Sequence, residues 1–133
     1  MRPKIASLVC NSPASNTEML TGRAAVEIVK KYEEVCLLSL PALVNLVSRQ
    51  IKLAEGIKQL VVVDGCKNSC AMKVADEIGL WYEFYVNVEE NVGIKKLGSF
   101  STLEFSQEEV EVVKEVILAV IKDIKRMERE YDS

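Results

Sequence analysis

Three observations predict a single α/β domain built on a parallel sheet: short apolar runs that stop at turn residues, stretches of helical spacing between them, and no linker or repeat anywhere in the 133 residues. A chain of this length can bury a sizeable core without staples, so one domain over 1–133 is expected. With 49% hydrophobic residues and charges mixed among them, the composition is that of a packed globule, not a disordered tail.

The elements follow in order. "KIASLVC" (4–10) is a mostly apolar run entering the turn-forming "NSPASN", so the first strand ends at Cys10. Ser15 and Glu18 have capping-box spacing, and Met19, Leu20, Ala24, Ala25, Val26 and Ile28 give an apolar stripe to a helix over about 17–31. "EEVCLLSL" places a second strand around Cys36, and Pro41 suits the first turn of a helix over about 41–54. "KQLVVVDG" (58–65), continuously apolar from Leu60 to Val63, reads as a central strand covered on both faces. "CKNSCAMKVADEIG" supplies a helix that begins near Lys67 and ends at Gly79. "WYEFYVNV" (81–88) alternates, which predicts an edge strand, and 89–105 lacks a period and reads as a long loop or lid. Ser106 and Glu109 form a second capping box before a helix over about 107–130, marked by Val110, Val113, Ile117, Ile121 and Ile124. Right-handed crossovers and burial then give the strand order 2-1-3-4, a flavodoxin/Rossmann-like domain of three layers.

Composition narrows the chemistry. A formal charge of -3 leaves no basic footprint, so nucleic acid is not an expected partner. No stretch reaches the ~20 apolar residues of a spanning helix and the N-terminus has no signal-peptide run, so a cytoplasmic protein without a membrane partner is expected. The chain has no histidine, which removes imidazole-based triads and the commonest general base. In a reducing compartment Cys10, Cys36, Cys66 and Cys70 read as metal ligands or working thiols rather than disulfides.

In such a sheet, ligands bind outside the carboxyl ends of the strands where strand order reverses, here between strands one and three. Cys10 and Cys66 each follow one of those strands, Cys36 stands on the neighbouring strand, and Cys70 is expected one helical turn beyond Cys66 on the same face. Cys36 taken alone reads equally well as a small buried hydrophobe. Four converging thiols suit zinc, with an iron–sulfur cluster as the other soft-metal option, and a closed site of that kind is structural or regulatory. A helix starting near Lys67 would favour a thiolate at Cys66, with Lys67 and Lys73 adding positive charge; Asp64 would support the site by accepting hydrogen bonds, and Gly65 would serve a tight turn.

The alternative is thiol redox or sulfur transfer, with Cys66 attacking and Cys70 or Cys10 resolving, although CxxxC is one residue longer than the thioredoxin motif. Phosphate transfer on the loop after Cys10 fits poorly, because Asn16 stands where a phosphatase loop needs arginine and the loop has no glycine. "VILAVI" (116–121) is apolar nearly all round, which suits packing on the sheet or a homodimer interface.

"VVVDGCKNSCAMKVADEIG" resembles the central motif of the DGC-domain family of small proteins regarded as zinc-binding, with Asp64, Gly65 and Cys66 as the defining triplet. Cys10 in "VCNSPASNTEML" and Cys36 in "VCLLSLPAL" are similar to that family's other two chelating positions, so the resemblance covers about 4–80. It implies a zinc ion held by all four cysteines and names no reaction. "NSPASN" departs from the glycine-containing turn that often follows the family's first cysteine, which affects the shape of that loop.

Overall fold

Valines with no polar group to satisfy settle where both faces of a sheet are covered. In the computed structural model, which describes residues 4–97 and 105–132 (the last five by backbone alone), β1 is Ile5–Val9, β2 Val35–Leu37, β3 Gln59–Asp64 and β4 Phe84–Asn87. The strands pair in parallel in the order β2-β1-β3-β4, as the pattern predicts. Val61, Val62 and Val63 of β3 are wholly buried, and each contributes roughly 1.5–3 kcal/mol by leaving water.

Alternation along each strand sends neighbours to opposite layers. On one face Leu20, Ala24 and Ile28 of α1 (Asn16–Lys31) and Val113, Ile117 and Ile121 of α5 (Gln107–Asp132) pack against Ile5, Val9, Val61 and Val63. On the other, α2 (Leu40–Val44), α3 (Ser48–Glu55) and α4 (Cys70–Glu77) cover Ala6, Leu8, Leu60 and Val62. Most of "VILAVI" is absorbed by this core: Ile117, Leu118 and Ile121 are buried and Val116 and Val120 pack partly against it. Among the described residues, no helix is long and apolar enough to cross a membrane.

Both capping serines do their work. Ser106 Oγ accepts from the Glu109 N–H at 3.1 Å while Glu109 Oε1 accepts from the Ser106 N–H at 3.0 Å, so that box closes both ways. Ser15 Oγ likewise accepts from the Glu18 N–H at 3.3 Å. The Glu18 carboxylate, however, turns away to the sheet edge, where it meets Cys66 and Lys96.

The structure corrects the expected elements at three places. The helix expected over 41–54 is two helices, because Asn45 donates from Nδ2 to the Pro41 carbonyl, Leu46 turns left-handed at φ 54° and the Val47 N–H closes on the Ala42 carbonyl. The helix expected from Lys67 begins at Cys70. Its free amides are taken by Asp64 and not by Cys66, which lies outside the helix. Of the stretch read as a loop, Val88–Val92 forms a π-helical turn ended by Gly93 at φ 81°, and 98–104 lie outside the described residues.

Leu46 holds a left-handed backbone that glycine adopts freely, and its side chain is 65% exposed, so little packing depends on it. Leu46→Gly should therefore raise stability by about 1 kcal/mol. A urea titration reads this directly, and an unchanged or lowered midpoint would count against the strain at this joint.

Candidate metal centre

Parallel pairing of β1 with β3 sets Val9 opposite Val63, so the residues that follow each strand leave the sheet side by side. The Cys10 N–H donates to the Val63 carbonyl at 3.3 Å, and the Gly65 N–H donates to Cys10 Sγ at 3.2 Å. One cysteine sulfur is thereby tied to the residue next to the other cysteine. Thr21, whose hydroxyl proton goes to the Glu18 carbonyl at 2.7 Å, offers its oxygen 3.5 Å from Cys10 Sγ. Burial pushes the Cys10 thiol up to about 11; Thr21 and Gly65 pull it down, and the carboxylates of Asp64 and Glu18 push it further up.

Asp64, the last residue of β3, is 1% exposed and caps α4 from a distance. Its two oxygens accept from the Ala71 N–H at 2.8 Å and the Met72 N–H at 3.0 Å, and Tyr85 Oη lies 3.0 Å from Oδ2. The residue in the N-cap position, Ser69, cannot do this: it is left-handed at φ 53° and its side chain makes no cap bond. Burial raises the Asp64 carboxyl above its ordinary value, with the two amides and Tyr85 pulling the other way. Asn87, wholly buried on β4, then donates to the Cys66 carbonyl at 2.8 Å and to Tyr85 Oη at 3.1 Å, which fixes the loop between Asp64 and Cys70 from its other side.

Gly65 is needed for room. A Cβ here would stand 2.6 Å from Thr17 and Glu18 backbone atoms, so only glycine lets the start of α1 pass against the β3 terminus. That close approach brings Glu18 to Cys66. Cys66 is 4% exposed, and its Sγ lies 3.8 Å from Glu18 Oε1 and 3.4 Å from Lys96 Nζ. Lys96 is also 3.6 Å from Glu18 Oε1.

The other two cysteines stand differently. Cys70 opens α4 as an exposed residue, its thiol raised first by desolvation and then by Asp64, Cys66 and Glu18. Cys36 is half-buried in β2, opposite Ala6, because that strand is three residues long and pairs only with the first part of β1. Ala6 precedes Cys10 by four residues, so Cys36 lies roughly 13 Å farther down the strand direction. Burial alone accounts for its raised thiol, apart from a small opposing hydrogen bond in its own backbone. Contacts thus bring Cys10, Gly65 and Cys66 together, with Cys70 within electrostatic reach and Cys36 apart. Among the described residues, no group of three or more cysteine, aspartate and glutamate side chains is gathered closely enough to hold a metal ion.

Lys67 is exposed, and its backbone N–H donates to Glu89 Oε1 at 3.1 Å; the cation beside Cys66 is Lys96. Nothing local in the sequence marks Lys96. The signal that could have found it is Asn16, a buried amide at a helix start, which holds the backbone on either side of Lys96.

A family model described as the DGC domain matches residues 7–117. No curated protein and no solved structure matches the chain.

Removing the remote cap should be costly. Asp64→Ala leaves two helix amides and Tyr85 without their carboxylate and should destabilise the fold by about 3 kcal/mol, with Asp64→Asn recovering only part, since one carbonyl oxygen replaces two. A loss under about 1 kcal/mol by chemical denaturation would argue that water substitutes for the cap. Cys10 gives a pH signature. Its thiol is raised in the fold above the ordinary 9.0, so its contribution is complete below that value and fades as pH climbs toward 11. Over that window the wild type should lose about 2 kcal/mol relative to Cys10→Ala, and parallel pH profiles would contradict the burial of this thiol.

Proposed function

The chain belongs to the DGC-domain family, and from that premise we propose that it is a metal-binding protein whose site lies in the crevice beyond β1 and β3 and takes zinc. The observation that supports this reading is the Gly65 N–H to Cys10 Sγ bond, which ties the cysteine after β1 to the residue that precedes Cys66. The donors fit a cation: Cys66 Sγ and Glu18 Oε1 together already face an ammonium group. Sulfur donors of this kind suit zinc, which when bound supplies a rigid tie between the elements that carry them. Cys10, Cys66 and Cys70, whose sulfurs are not gathered closely enough as they stand, would close on the metal as it binds; Asp64 would anchor the loop between Cys66 and Cys70, and Cys36 completes the set in the four-cysteine form of the proposal.

Raised thiols at Cys10, Cys36 and Cys70 mean that binding must displace protons, so affinity should climb with pH. They also make poor spontaneous nucleophiles. A second reading, thiol redox or sulfur transfer through Cys66, is favoured by one observation: a fixed cation 3.4 Å from that sulfur. A Cys66-selective alkylation well below pH 8, lost in Lys96→Met, would support that reading over zinc.

Protein purified anaerobically under reducing conditions, without added metal, should carry about one equivalent of zinc per chain, reduced to trace levels in Cys66→Ser and Cys10→Ser. Less than about half an equivalent of any metal, with four freely titrating thiols, would sink the proposal. Cys36→Ser separates its two forms: unchanged zinc content and affinity would remove Cys36 from the ligand set.

A further inference from the structure

Glu18 and Lys96 are far apart in sequence and meet at one sulfur. Lys96 Nζ lies 3.4 Å from Cys66 Sγ and 3.6 Å from Glu18 Oε1, and that oxygen is 3.8 Å from the same sulfur. The lysine is delivered on purpose-built backbone. Asn16, 3% exposed at the start of α1, donates from Nδ2 to the Lys95 carbonyl at 3.0 Å and accepts at Oδ1 from the Leu97 N–H at 2.7 Å. The two bonds flank Lys96 and leave its side chain as the projecting part of the strap. The same helix start therefore carries both the carboxylate and the clamp that aims the ammonium at it.

A cation shared by one sulfur and one carboxylate oxygen occupies the place that a metal ligated by cysteine and glutamate would need, so ammonium and metal exclude one another there. Glu18 has a further claim. Its capping-box spacing predicts a carboxylate folded back on the Ser15 N–H, and it lies instead against Cys66 with 14% of its side chain exposed, whereas Cys36 stands apart by register. We propose that Glu18 is a ligand of the metal beside Cys66, and that Lys96 is the internal cation which that metal displaces.

This rests on the zinc reading above and extends it. In the exchange the metal enters, the Cys66 thiol gives its proton to solvent as the metal–sulfur bond forms, and the ammonium moves protonated into water, to which its 30% exposed side chain already has access. A mixed sulfur and oxygen donor set also suits zinc better than an iron–sulfur cluster, whose irons take cysteine almost throughout. Once displaced, Lys96 no longer ties the strap to the sheet edge, and the strap is left to the Asn16 clamp and the packing of Ile94.

The test uses the full chain, a chromophoric chelator competing for zinc, and trypsin. Lys96→Met should bind zinc about three- to tenfold more tightly than wild type, because the competitor is gone. Glu18→Gln, which keeps size and helix position, should bind about 10- to 100-fold more weakly. Adding zinc to wild type should speed tryptic cleavage after Lys95 and Lys96, read by mass spectrometry, while cleavage after Lys58 stays unchanged. Circular dichroism confirms that both variants fold. Zinc binding that is equal in wild type, Lys96→Met and Glu18→Gln, or weaker in Lys96→Met, would overturn the proposal while leaving the zinc reading intact. No zinc binding by wild type would remove both.

Discussion

A single buried carboxylate organises the end of the sheet. Asp64 finishes β3, has almost no contact with water, and gives both oxygens to the first amides of α4. Isolated burial of a charge is prohibitively unfavourable, so the ion is tolerated only because a helix terminus and Tyr85 surround it. The consequence runs outward. With capping done from β3, Ser69 is free to take a left-handed conformation, and the chain from Gly65 to Cys70 can loop away from the helix axis before α4 starts.

The triplet Asp64-Gly65-Cys66 thus has three separate physical jobs. Aspartate anchors one helix, glycine makes way for another, and cysteine presents its sulfur in the space between them. The glycine is not there for an unusual torsion, because its requirement is steric: α1 passes too close to β3 for any side chain. Two helices on opposite faces of the sheet are consequently set by adjacent residues. Their relative position fixes Thr21 and Glu18 around Cys10 and Cys66, and this is how a motif three residues long governs contacts across the whole crevice.

Much of the architecture was legible in the sequence. The strand order, the central place of "LVVV", the edge character of "WYEFYVNV" and both capping serines follow from patterns whose physical basis is local. The placement of Cys10 at the end of β1 and Cys66 just past β3 was legible for the same reason. What escaped was set by tertiary geometry. The joint at Leu46 breaks a stripe that looks continuous, because a left-handed leucine leaves no compositional trace. The late start of α4 depends on a cap six residues upstream, and the level of Cys36 depends on how little of β1 its short strand pairs with. Lys96 was hidden because the amide that positions it lies at the opposite end of the fold's sequence.

The pairing of β1 bears on how this protein comes into being. Ile5 sits between Val35 on one side and Gln59 on the other, so β1 gains one neighbour from the strand that follows it in sequence and its second only when β3 is present. Such distant pairings slow folding and leave early segments exposed meanwhile. The thiol of Cys10 can meet Thr21 from the helix that follows β1 directly, but it acquires the Gly65 amide only when β3 docks. Until β3 docks, that sulfur lacks its amide partner and is open to metals and oxidants.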